Sequence, residues 1–274
     1  MPDPAPQQAY RPSPTIRASV MLHIGAAAAV IVRPQVWPWA LGAVIADHLL
    51  LSGAGLWPRS SLLGSNWTRL PGAGAPRDAV AITFDDGPDA EVTPRVLDLL
   101  EAHGARATFF CIGERVLQHP ALAREIVRRG HAVENHSQRH LHRFSLLGPS
   151  AMAAEITRAQ QAIGDTTGET ARFFRAPAGL RNPFLAAVLE RARLQLASWT
   201  RRGFDTRSGN ADQVLGRLTK NLASGDILLL HDGHAARTAA GPAVILTVLP
   251  RLLGAVSAAG LNFVTLRAAL PPSP

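Results

Sequence analysis

The spacing of apolar positions divides the chain in two near residues 58–78. Ahead of that point the apolar residues come in unbroken runs. "ASVMLHIGAAAAVIV" covers 18–32 and "VWPWALGAVIADHLLLSGAGLW" covers 36–57, with "RPQ" between them. Each run is close to the lower limit for crossing a bilayer, roughly 17–25 residues. Trp37, Trp39 and Trp57 stand towards the ends of the second run, as interface anchors do. Asp47 and His48 lie inside it, where lipid makes them costly. The small residues "GAAAA" fall within the first run rather than after it, so a cleaved signal peptide fits poorly. A hydrophobic helical hairpin acting as membrane anchor is expected over 18–57; a pair of buried helices packed on the domain is the competing reading. Arginines flank both runs on every side, so charge does not set a topology. Residues 1–17, rich in Pro and polar residues, are expected to form a disordered tail.

Residues 58–78 carry Pro, Gly and Ser at close intervals and read as a linker. Beyond them the pattern changes to short apolar strands alternating with helix-period segments. "AVAITF", "ATFFCI", "HAVENH", "RFFRA", "LQLASW", "DILLLH" and "LNFVTL" read as strands. "TPRVLDLLEAHG" reads as a helix with Thr93 as N-cap and Gly104 as stop. "PALAREIVRRG", "SAMAAEITRAQQAIG", "NPFLAAVLERAR" with Asn182 capping, "ADQVLGRLTKNL" and "AVILTVLPRLLGAVSAAG" read as further helices. Repeated strand–helix units imply a parallel sheet covered by helices. An α/β fold, a distorted barrel of about seven units over 79–270, is therefore expected. In such a barrel chemistry collects at the C-terminal ends of the strands.

Composition changes little. The chain has 274 residues, 47% of them hydrophobic, enough for a sizeable core, and a formal net charge of +8. Only Lys220 is a lysine; the arginines are scattered through helices rather than clustered, so no nucleic-acid partner is expected. Cys111, the single cysteine, excludes an intrachain disulfide and a Cys-rich metal site and reads as a buried hydrophobe.

Titratable residues recur just past the strands: Asp85 and Asp86, His136 and His140, Arg175, Asp205, then His231 and Asp232. On a helical turn the two imidazoles of "HSQRH" would project to one side. With one carboxylate they form a two-His, one-carboxylate set, suited to a divalent ion with positions left open. Taken alone, an HxxxH or a "DDG" is weak evidence.

In order and spacing, "TFDDGP", "HSQRH", "RAPAG", "SWTRRGFD" and "LLLHD" resemble the motifs of the NodB-homology polysaccharide deacetylases, carbohydrate esterase family four, over about residues 79–267. The resemblance implies metal-dependent removal of N-acetyl groups from amino sugars of a glycan or glycolipid. It implies Asp86, His136 and His140 as ligands of a divalent ion, usually Zn2+, with Co2+, Ni2+ or Mn2+ as alternatives. It implies Asp85 as general base, His231 as general acid, Arg175 holding the base and Asp205 supporting His231. Ala178 would offer its backbone N–H to the oxyanion, and Leu229 would line the acetyl pocket. Two adjacent aspartates are tolerable on this reading because an ion neutralises one and an arginine the other.

The fourth motif departs from the family: Thr206 follows Asp205 where many members have tryptophan, leaving Phe204 or Trp199 to form the groove wall. Ala178 also stands where an aromatic residue is common. An O-acetyl esterase, a deformylase of lipid-linked sugars and a non-catalytic carbohydrate-binding homologue remain as alternatives. His142 and His234 are left outside the site, His131 and Trp67 are read as packing, Asp232 as structural, and Glu134 as support for a ligand imidazole.

Overall fold

The structure is a computed structural model and describes residues 10–72 and 76–270. Most of the expected tail lies outside the described residues, but its end does not. Helix α1 runs Pro14–Val32, with the Ser13 hydroxyl accepting from the Ile16 N–H at 3.3 Å and proline in the first turn. The Ser-Pro pair is a helix-start signal that the polar composition hid. A short 3-10 turn, Pro34–Val36, leads into α2, Trp37–Leu56. Both helices are long and apolar enough to cross a membrane, by length and composition, and little of either is buried in the molecule. Trp37, Trp39, Leu49, Leu56 and Trp57 are all exposed.

The rest of the chain curls one parallel sheet into an incomplete barrel. Its strands are β1 Ala79–Asp85, β2 Ala107–Cys111, β3 Ala132–Asn135, β4 Phe173–Phe174, β5 Gln195–Leu196, β6 Arg201–Arg202, β7 Ile227–His231 and β8 Asn262–Phe263. They are ordered β5-β4-β3-β2-β1-β7-β6, with β8 against the start of β1. The helices α3 Val92–Ala102, α4 Gly113–Gln118, α5 Pro120–Arg128, α6 Pro149–Thr167, α7 Leu185–Arg191, α8 Ala211–Thr219 and α9 Val244–Ala258 join the strands. β6 is absent from the sequence reading because Arg201 and Arg202 carry no apolar alternation.

β1 explains the two-sided core. Val80, Ile82 and Phe84 pack outward among the helices, with Phe84 stacked on Phe109 at 5.0 Å. Burying each contributes roughly 1.5–3 kcal/mol. Ala79 and Ala81 point inward with Phe110, Phe173, Ile227 and Leu229, small residues where the barrel is narrow. Period-2 alternation puts Thr83 and Asp85 on that inner side too.

The segment expected as linker has a structural role. Trp67 N–H donates to Leu196 O at 2.9 Å, Ser198 N–H donates to Trp67 O at 2.8 Å, and Leu70 N–H donates to Gly225 O at 2.8 Å. Residues 67–70 thus lie between the end of β5 and the start of β7, in the sheet's gap, and Trp67 packs edge-on against Phe173 at 5.0 Å. Composition read as loop because the segment pairs by single bridges rather than as a strand.

Thr93 is not an N-cap. It sits inside the first turn of α3, while the Asp89 carboxylate accepts from the Glu91 and Val92 N–H groups, each at 2.9 Å.

Candidate active site

Strand β1 ends on Asp85, its carboxylate inside the barrel mouth. Asp86 follows with φ +72, which turns its side chain into the same mouth rather than to the opposite face. Asx residues tolerate this left-handed conformation better than most. His136 and His140 converge in a related way. Residues 136–140 form no helical turn, contrary to the sequence reading; positive φ at Ser137 (+63) and His140 (+50) folds the loop back. The Ser137 hydroxyl accepts from the His140 N–H at 3.0 Å and holds the loop closed.

The three side chains meet. Asp86 Oδ1 lies 3.4 Å from His136 Nε2 and 3.2 Å from His140 Nε2. Asp86 Oδ1 is buried and, among the described residues, has no hydrogen-bond partner. His136 Nδ1 is 2.8 Å from Arg175 O, which can only accept, so the proton sits on Nδ1 and Nε2 keeps its lone pair. A buried, unpartnered carboxylate oxygen facing a deprotonated imidazole nitrogen is the donor set of a divalent ion, and this trio fits one. Burial pushes the Asp86 carboxyl up, but His136, His234 and His140 outweigh it and hold it well below the usual range. Burial, together with His136, draws His140 down to about 4.

Beside the trio, Asp85 Oδ1 accepts from Arg175 NH1 at 2.6 Å, and Asp85 Oδ2 lies 3.8 Å from His136 Nε2. Arg175 is fully buried. It also donates to Thr83 Oγ1 at 2.8 Å, Ser198 O at 2.8 Å and Ala197 O at 3.2 Å, and stacks over Phe110 at 4.1 Å. Across the mouth, His231 ends β7, its Nδ1 2.9 Å from Asp205 Oδ1. The other Asp205 oxygen accepts from the His231 N–H at 2.7 Å. Burial alone would lower the imidazolium, but Asp205, then Asp85 and Asp86, raise it above its ordinary value. Register pairs Asp85 directly with His231 across β1 and β7.

Asp85, Asp86, His136, His140, Ala178, Leu229 and His231 all line one cavity of about 830 Å³, with Arg175 and Asp205 buried behind it. Ala178 is exposed on the Pro177–Gly179 turn with φ +55. Trp199 and Thr206 stand on the cavity wall. Phe204 is instead exposed, stacked between Arg202 and Arg217 at 5.0 and 5.7 Å, so of the two aromatic candidates Trp199 forms the wall.

Four expectations change or sharpen. Glu134 supports no ligand: it accepts from the Arg172 and Phe173 N–H groups at 2.7 and 2.8 Å and pairs with Arg267 at 2.5 Å. His142 and His234, set aside on sequence, both line the cavity. His234 Nε2 lies 2.9 Å from Arg115 NH2, a donor only, which leaves Nδ1–H facing Asp86 Oδ2 at 3.5 Å. The signal was the spacing "HDGH": Gly233 packs so close to Asp86 O that a Cβ there would come within 2.3 Å. Asp232 is structural, as expected, but through the Thr93 hydroxyl, which donates to it at 2.6 Å and ties α3 to the end of β7.

Known proteins resemble this chain in sequence and in fold. The family model described as polysaccharide deacetylase matches residues 72–197. A peptidoglycan-N-acetylglucosamine deacetylase of Bacillus cereus is 35% identical over 188 residues, 68% of this chain and 85% of that protein. A chitooligosaccharide deacetylase of Azorhizobium caulinodans is 33% identical over 57% of this chain and 75% of its own length. The chain spans only 38% of the peptidoglycan-N-acetylglucosamine deacetylase of Listeria monocytogenes, which is 34% identical. Among solved structures, a family 4 carbohydrate esterase from Streptomyces lividans in complex with acetate superposes with TM-score 0.63 at 32% identity, covering 73% of this chain and all of that one. A family 4 pseudoenzyme from Bacillus anthracis shares the fold, with TM-score 0.65 at 22% identity over 74% of this chain and 68% of its own.

Proposed function

Because this chain belongs to the polysaccharide deacetylase family, we propose that it hydrolyses N-acetyl groups from N-acetylated amino sugars of a cell-envelope glycan. The observation that carries the reading is the joint placement of three potential metal ligands, an arginine-held carboxylate and a carboxylate-backed histidine around one cavity. A pure binding module needs none of these together.

Asp86, His136 and His140 would hold the ion, and two imidazoles with one carboxylate suit zinc. When bound, it supplies Lewis-acid polarisation of the amide carbonyl and acidifies water. The chain's own groups do the rest. Asp85, paired with and aimed by Arg175, takes the proton of the attacking water. Developing charge on the carbonyl oxygen is met by the Ala178 N–H. His231, held by Asp205 through Nδ1–H, acts as the imidazolium, and its Nε2–H protonates the departing sugar amine. Leu229 closes the floor where the acetyl methyl would lie.

The hairpin supports an envelope setting. Arg181 N–H donates to Gly55 O at 3.1 Å, Ser198 Oγ donates to Pro58 O at 2.6 Å, and Pro58 packs against Gly179. The end of α2 therefore sits on the turn that carries Ala178, and a membrane holding the hairpin would lie beside the cavity mouth. A glycan attached to or near that membrane is the substrate this favours. Acetate release from chitooligosaccharide or peptidoglycan tests the proposal: it should vanish with a chelator and with Asp85→Asn. Asp85→Asn protein with undiminished turnover would remove Asp85 as the base.

A further inference from the structure

The hairpin carries chemistry that the deacetylase site does not use. His23, Asp47 and His48 each offer a ligand atom, all within 4.8 Å of one another, on helices that are otherwise apolar. We propose that these three residues form a second divalent-metal site, which ties α1 to α2.

Asp47 is buried between the helices. Its Oδ2 accepts from the Ser19 hydroxyl at 2.7 Å and lies 3.9 Å from His23 Nδ1, too far for a hydrogen bond. Ser19 and His23 are one turn apart on α1 and share a face. Both imidazoles are already committed at Nδ1: His23 to Ser19 O and His48 to Val44 O, each at 2.8 Å. Carbonyl oxygens only accept, so the protons sit on Nδ1 and both Nε2 atoms keep their lone pairs. The two rings meet edge to face, with centroids 5.2 Å apart.

A desolvated carboxylate beside two imidazoles with free lone pairs lacks a countercharge, and on an apolar hairpin that is costly. A divalent ion supplies it. Two nitrogens and one oxygen suit zinc, and equally cobalt, nickel or copper, better than magnesium or calcium. The site is open on the His48 side, where the ring is exposed. With one ligand on α1 and two on α2, the ion would hold the hairpin's register together with the Ser19–Asp47 hydrogen bond.

The test is a metal count on the full chain in detergent, loaded with zinc and desalted, and needs no activity. The wild type should hold about two equivalents and His48→Gln about one, because the substitution at this exposed residue removes one ligand. His136→Gln should also keep about one, that of the hairpin. A wild type with a single equivalent that disappears in His136→Gln overturns the second site. So does a His48→Gln protein that holds as much zinc as the wild type. Should His136→Gln lose nothing while His48→Gln loses one, the hairpin site stands and the catalytic assignment falls.

Discussion

Arg175 donates to Asp85 at 2.6 Å from a wholly buried position, with three further donors spent on Thr83 and on the carbonyls of Ala197 and Ser198. One guanidinium thus spans β1 and the chain leaving β5 and neutralises the proposed base. Lysine carries the charge but presents its donors from a single point and cannot make both sets of bonds. Arg175→Lys should cost about 3 kcal/mol, since it leaves buried carbonyls unpaired and Asp85 poorly compensated. Turnover should fall roughly 10- to 100-fold. Urea unfolding and acetate release read the two effects; a variant matching wild type in both would show that the fork is not needed.

The pH profile carries a second expectation. His231 titrates above its ordinary value because Asp205, with Asp85 and Asp86, outweighs burial. The acid form is therefore present below that raised value and lost as pH rises through it, which sets the alkaline limb of kcat/KM. Asp205→Asn removes the largest stabilising charge and should move that limb to lower pH as well as reduce its height. An alkaline limb at the wild-type position in Asp205→Asn would assign it to another group.

Away from the site, His131 is buried, accepts from the Ala107 N–H at 3.2 Å, and is drawn down to about 4 by burial and by Arg106 and Arg129. With the folded value depressed, its contribution is intact above about 6.5, where the unfolded imidazole is also neutral. It is lost as pH falls from there towards 4, by about 3 kcal/mol in all. Asn at this position keeps an acceptor and cannot titrate. The stability difference between wild type and His131→Asn should therefore shift in favour of the variant as pH drops from 7 to 4; a constant difference would contradict the assignment.

Gly179 links the hairpin to the groove. Its φ is +73, and a Cβ would meet Trp199 at 2.5 Å and Pro58 at 2.8 Å. Gly179→Ala should cost about 2 kcal/mol from backbone strain. By displacing the Trp199 wall it should also raise KM for oligosaccharide more than it lowers kcat. Equal KM values would mean that Trp199 does not bound the substrate path.

Much of this was legible in the sequence, for a physical reason. In a parallel sheet every strand ends at the same rim, so polar residues placed just past apolar runs must meet, and Asp85, His136, Arg175 and His231 did. What local pattern could not show was how the chain turns after the strands. The His136–His140 convergence depends on left-handed backbone at Ser137 and His140, not on helical spacing. His234 reaches Asp86 only because Gly233 allows close approach, and Glu134 is diverted by Arg267, which lies 133 residues further on. The Trp67 segment fills the barrel's gap through single bridges that leave no periodicity to read.

The account rests on Asp86, His136 and His140 sharing one cation while Asp85 stays free of it. An anomalous-difference map from crystals of the zinc-loaded protein addresses this directly. The account predicts a peak about 2.0–2.2 Å from an Asp86 oxygen and from Nε2 of both histidines, with Asp85 beyond bonding distance and still paired to Arg175. A peak bonded to Asp85 instead, or no density among those three side chains at full zinc occupancy elsewhere, would contradict it.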